Sequence, residues 1–93
     1  MPAREHVIVD GILERSKHVR GLLLRKLHGS PFAVAGDPDL FGSYRGQAIA
    51  VEVKRPGENP TPLQQQRLHE WATAGALAFT CRSVKGFFDG LGI

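Results

Sequence analysis

One cysteine, one methionine, one tryptophan and one tyrosine are all that these residue types contribute to 93 residues. A lone Cys81 forms no intrachain disulfide and has no second thiol for a cysteine-type zinc centre, so a disulfide-stapled scaffold is excluded. Cys81 reads instead as a small buried core residue. Long apolar runs are missing too: none approaches the roughly 18 residues of a membrane helix. The opening Met1-Pro2-Ala3-Arg4-Glu5-His6 lacks the basic-then-apolar layout of a signal peptide, so a cytoplasmic location is expected. Internal repeats, low-complexity tracts and linkers are also lacking, and one domain spanning residues 1–93 is expected.

What is present is an ordinary globular composition, 42% hydrophobic and 23% charged, which excludes a disordered chain. A net charge of +3 permits contact with phosphate backbones without demanding it. Chains of this size bury only about 60–65% of their unfolded surface, so a homodimer is expected as a further source of stability.

Val7, Ile8, Ile12 and Val19 recur at helical spacing between charged residues and predict an amphipathic helix from Arg4 to about His18, weakened by Gly11. Leu22 to Leu27 suits either a strand or a continuation of the helix, since a short apolar run does not separate the two, and a strand is expected. His28-Gly29-Ser30-Pro31 is punctuation, and Gly36-Asp37-Pro38-Asp39 is a turn that leads into apolar residues. Tyr44-Arg45-Gly46 reads as a hairpin turn, and Gln47 to Lys54 as a strand rich in β-formers. Thr61 then caps a helix with Pro62 at its first position, an apolar stripe of Leu63, Leu68, Trp71 and Ala72, and a stop at Gly75. Ala76 to Arg82 predicts a buried strand, and Ser83 caps a last short helix through Phe87, Phe88 and Leu91. The fold class is α/β, a small mixed sheet flanked by helices in the order α-β-β-β-α-β-α.

Side chains at i and i+2 of a strand share a face, so Glu52 and Lys54 stand together while Val51 and Val53 point away. A hairpin about Tyr44-Arg45-Gly46 brings the carboxylates of Asp39 and Glu52 to one point, and two converging carboxylates need a cation. Hard ions such as Mg²⁺ and Mn²⁺ take such oxygen ligands together with waters and substrate phosphate. With Lys54 beside them, the set suits phosphodiester hydrolysis. Glu-x-Lys alone is commonly a solvated strand face, and Asp37 and Asp39 are also ordinary turn formers. The order of acidic turn, Glu-Val-Lys strand and Thr-Pro-Leu-Gln helix start gives the motif its weight.

Gly36-Asp37-Pro38-Asp39-Leu40, Val51-Glu52-Val53-Lys54 and Thr61-Pro62-Leu63-Gln64 together resemble the VRR-NUC (virus-type replication-repair nuclease) branch of the PD-(D/E)XK nuclease superfamily. The resemblance runs from about Arg4 to Val84 and suggests a stand-alone version of the module, with a PD-(D/E)XK-like core. It implies Asp39 and Glu52 as metal ligands, the Val53 carbonyl as a further ligand, Lys54 as the catalytic lysine, and Gln64 reaching toward the site. It also implies a first-helix glutamate as a catalytic residue and further metal ligand, for which Glu5 with Ile8 and Ile12 fits the spacing better than Glu14. An acidic residue near a helix N-terminus is also favourable without any metal.

The expected activity is Mg²⁺- or Mn²⁺-dependent cleavage of DNA by a homodimer, in a bacterial or phage-infected cell. Stand-alone relatives suggest branched DNA such as four-way junctions. A catalytically idle DNA-binding module of the same fold is the alternative, and a protein-binding module with a structural cation is a third. Arg15, Lys17, Arg20, Arg25, Lys26 and Arg55 are candidates for phosphate contacts. His28 and His69 lie outside the acidic cluster and are not expected to bind metal.

Overall fold

A computed structural model describes residues 4–26 and 34–93. The elements follow the order α1 (Glu5–Ser16), β1 (Leu22–Lys26), β2 (Leu40–Tyr44), β3 (Gln47–Val53), α2 (Pro62–Thr73), β4 (Leu77–Cys81) and α3 (Val84–Leu91). The seven elements match the expected order. The expected punctuation at His28 to Pro31 lies outside the described residues.

The strands form one mixed sheet in the order β1-β2-β3-β4, antiparallel except for the parallel pair β3 and β4. Parallel neighbours need a crossover, and α2 is that crossover. The β2–β3 hairpin closes at the Tyr44↔Gln47 pair. Its two turn residues, Arg45 (φ 49°) and Gly46 (φ 85°), both take the left-handed conformation that a type I′ turn requires.

Ile49, Val51 and Val53 point to one face of β3, where Ile8, Val9 and Ile12 of α1 and Phe87 and Phe88 of α3 close over them. Full burial of each such side chain is worth about 1.5–3 kcal/mol. In α1 it is Ile8, Val9, Ile12 and Ser16 that turn inward, while Val7 is 52% exposed, so the inward stripe sits slightly round the helix from the expected one. The inward Ser16 hydroxyl is satisfied by donating to the Leu13 carbonyl at 2.7 Å. Gly11 marks the crossing of α1 and α3, since a Cβ there would meet Val84 Cγ2 at 2.8 Å.

Helix α2 covers the opposite face. Its start is a complete capping box between Thr61 and Gln64, with Pro62 at the first helical position. None of its residues is fully buried: Leu68 and Trp71 are half-buried, and Leu63 and Ala72 are exposed. The contact is anchored by Trp71 against Phe41 at a ring-centroid separation of 4.8 Å.

Gly42 has a packing reason of its own: a Cβ there would collide with the Leu23 carbonyl oxygen of the neighbouring strand. Gly42→Ala should therefore push β1 away from β2 and cost about 1–3 kcal/mol, as overpacking does. Urea denaturation measures this, and an unchanged midpoint would contradict the close approach.

Candidate metal centre

Beyond Val51, strand β3 turns its next side chain, Glu52, away from the aliphatic core. Leu40 pairs with Val51 across the hairpin, so one step further along the same register Asp39 faces Glu52. Directly opposed residues of an antiparallel pair hold their Cβ atoms about 4.5–5.5 Å apart, close enough for the two carboxyls to meet. Asp39 is held in place by its Oδ2, which accepts from the Val53 backbone N–H at 2.8 Å.

Glu52 is only 2% exposed, and its Oε2 has no hydrogen-bond partner. A buried charge in that position is costly unless compensated. Burial is the main reason the Glu52 carboxyl is pushed up to about 9; a hydrogen bond to Asp39, the Asp39 charge and the more distant Glu5 charge push the same way, and Lys54 opposes them. Without a cation, burial and the facing Asp39 carboxylate therefore favour a proton on Glu52.

Lys54 continues the ladder, its amide donating to the Cys81 carbonyl at 3.0 Å. Its side chain is 11% exposed and places Nζ 3.7 Å from Glu5 Oε1. The first turn of α1 is thereby drawn to the C-terminal end of β3. Glu14 lies about 13 Å further along the helix, at 1.5 Å per residue, and pairs with Lys17 at 3.0 Å. Glu5 is therefore the first-helix glutamate that meets the cluster.

Gln64 is occupied locally: its side-chain oxygen accepts from the Thr61 amide at 2.9 Å, completing the capping box. Among the described residues no hydrogen bond or ion pair joins it to Asp39, Glu52 or Lys54. His69 is exposed on α2, and His28 lies outside the described residues. Cys81 is buried, and burial pushes its thiol up to about 11, so it stays protonated and inert.

Three contacts that pattern reading did not find fasten the acidic turn to α2. The Trp71 indole donates to Asp37 Oδ1 at 3.3 Å, Arg67 Nε donates to the Ala35 carbonyl at 3.1 Å, and Gly36 (φ 82°) lies so close that a Cβ would meet Leu63 Cγ at 2.6 Å. A half-buried indole N–H announces that it needs an acceptor; which acceptor is decided by the docking of the helix. On the other side of the site, Arg55 pairs with Glu58, and Arg82 donates to the Glu58 carbonyl at 3.0 Å. Arg55, a candidate for DNA contact, is thus already engaged.

Among the described residues no group of three or more His, Cys, Asp or Glu side chains is gathered to hold one metal ion. The donor set is therefore the Asp39–Glu52 pair, with backbone oxygen, water and phosphate left to complete a shell. That is a donor chemistry for hard divalent ions, which keep several waters and use one or two carboxylates. The partnerless Glu52 oxygen and the proton forced onto that carboxyl are what a cation would relieve.

A four-stranded mixed sheet with helices on both faces and a carboxyl pair beside a half-buried lysine makes this a small α/β domain with a candidate hard-cation centre. No protein-family profile and no curated protein matches the chain by sequence. Solved structures do match. One described as a VRR_NUC domain superposes with a TM-score of 0.77 at 30% identity, over 95% of this chain and 94% of the other. A second, described as a VRR_NUC domain protein, gives a TM-score of 0.81 at 17% identity, over 99% of this chain and 88% of the other, and supports the fold. The chain belongs to the VRR-NUC family of nuclease domains.

Proposed function

We propose that the chain is a Mg²⁺- or Mn²⁺-dependent DNA endonuclease whose centre is Asp39, Glu52 and Lys54. The observation that carries this reading is the buried Glu52 carboxyl, partnerless at Oε2 and opposed to Asp39, with the Lys54 ammonium beside it. Asp39, Glu52 and the Val53 carbonyl would hold the ion. When bound, the ion supplies Lewis-acid polarisation of the phosphate and a water of lowered pKa.

The chain's own residues supply the rest. Glu5 steers the Lys54 ammonium, and Lys54 faces the non-bridging oxygens that gain charge as water adds to phosphorus. One P–O bond forms and one breaks, leaving a phosphate monoester and an alcohol, with one proton of the attacking water passing to solvent and the leaving alkoxide taking one from solvent. The acidic turn, pinned to α2 at Asp37, keeps Asp39 in register with Glu52. Gln64 belongs to this proposal as a residue that would have to leave its cap to reach the substrate.

The substrate proposed is branched DNA, such as a four-way junction, because a two-fold homodimer of so small a domain presents two identical centres to two strands. Cleavage of labelled junction, flap and linear duplex with Mn²⁺, against an EDTA control, tests the activity and the preference. Lys54→Ala should lower the rate about 100-fold, within the range for removing one electrostatic stabiliser. Equal cleavage by wild type and variant would sink the assigned centre, and salt-sensitive DNA binding without turnover would establish the idle module instead.

A further inference from the structure

At the opposite end of the sheet from Asp39 and Glu52, the hairpin turn, the end of α1 and α3 frame an open groove of about 360 Å³ lined by Arg15, Arg20, Arg45, Tyr44 and Phe88 among others. The Arg15 guanidinium lies over the Phe88 ring at 4.4 Å from its centroid, and that of Arg45 over Tyr44 at 5.5 Å. A guanidinium resting on a ring keeps its N–H groups in plane and available, so both are held ready for a bidentate acceptor. Among the described residues none of the three arginines has a carboxylate partner, and Glu14, next to Arg15 in sequence, is taken by Lys17.

Arg45 also occupies the left-handed region at φ 49°. Asn, Asp or Gly would suit that turn position better. Its amide donates to the Gly21 carbonyl at 2.8 Å, and the side chain lies across Gly21, where a Cβ would meet Arg45 Cγ at 3.0 Å. An arginine kept at a position that disfavours it, laid over a glycine and an aromatic ring, points to a use for the guanidinium.

We infer that Arg15, Arg20 and Arg45 form a second phosphate-binding subsite that grips the DNA backbone away from the cleavage centre. The inference rests on the nuclease reading for its substrate. Strand β3, of seven residues, separates the two sites by about 20 Å. At about 3.4 Å per nucleotide along a strand, that is a reach of about six base pairs. The cleavage centre would act on one phosphodiester while the arginines anchor a remote stretch or a second arm.

The test is the double variant Arg20→Gln/Arg45→Asn, which keeps a turn-compatible residue at 45 and leaves Arg15 packed on Phe88. Binding of a fluorescent 20-base-pair duplex by anisotropy should weaken at least tenfold at low salt. The slope of log affinity against log salt should become shallower by about 1.8, at about 0.9 for each phosphate no longer neutralised. Mn²⁺-dependent hydrolysis of thymidine 5′-(p-nitrophenyl phosphate), which carries one phosphodiester and cannot reach the groove, should be unchanged. Unaltered DNA affinity and salt slope would overturn the subsite, as would a thermal shift with inorganic phosphate that the variant loses while its DNA binding stays intact. If wild type hydrolyses neither this diester nor the labelled junction, flap and duplex DNA, yet the variant's salt slope becomes shallower, the nuclease reading fails and the subsite stands.

Discussion

Glu52→Gln should abolish divalent-ion-dependent cleavage, with at least a thousandfold loss of kcat/KM, while leaving the metal-free protein more stable at pH 8 than wild type. The two effects have opposite signs because one buried group serves two demands. As a ligand, Glu52 must be ionised; as a buried residue facing Asp39, it is forced to keep its proton up to about pH 9. Gln mimics the protonated form, since its amide can donate to Asp39 as the neutral carboxyl does, but it offers no charge to a cation. Activity assays with Mn²⁺ and thermal melts in EDTA measure the two halves. A variant that retains cleavage, or one that melts below wild type in EDTA, would contradict the arrangement.

The second large effect follows from the same proton. A divalent ion held by Glu52 must displace it, so Mn²⁺ binding should release about one proton per ion at pH 7. Apparent affinity should rise about tenfold per pH unit up to about pH 9, where the carboxyl ionises by itself. Stability without metal runs the other way. The carboxyl ionises at 4.5 in its unperturbed state and about 9 in the fold, so the folded form binds more protons than the unfolded between those values. The contribution of protonated Glu52 is complete below about pH 4.5 and is lost as pH rises toward 9. Melting temperature in EDTA should fall across that window, and saturating Mn²⁺ should raise it more at pH 8 than at pH 6. Calorimetry in buffers of different ionisation enthalpy counts the proton; a pH-independent affinity with no proton release would place the metal elsewhere.

Both effects depend on Glu52 being buried, and burial was not readable from the chain. Strand parity was enough to put Glu52 and Lys54 opposite Val51 and Val53, but a polar strand face is ordinarily solvated. What buries Glu52 to 2% exposure is the tertiary packing around that face, while α2, which lies on the same face, has no fully buried side chain of its own. The expected stripe of Leu63, Leu68, Trp71 and Ala72 suggested a deeper contact than forms, because an apolar period reports which side faces the sheet and not how closely it sits. Gln64 shows the reverse case. Read by its motif position it belongs to the site, while the capping box with Thr61, a local interaction three residues long, holds its side chain at the helix start.

Short-range chemistry was determined by the sequence itself. The Arg45-Gly46 turn imposes the hairpin, and the hairpin register sets Asp39 opposite Glu52. Thr61, Pro62 and Ser83 place the helix starts, since caps act within one turn of chain. Cys81, Phe87 and Phe88 enter the core as their apolar character predicts. The tertiary structure decided everything that joins distant segments: Glu5 to Lys54, Trp71 to Asp37, the Gly42 backbone to Leu23, and the three arginines around one groove. These depend on the angles at which helices settle on a twisted sheet, which follow from the packing of many side chains at once and leave no periodic trace in the chain.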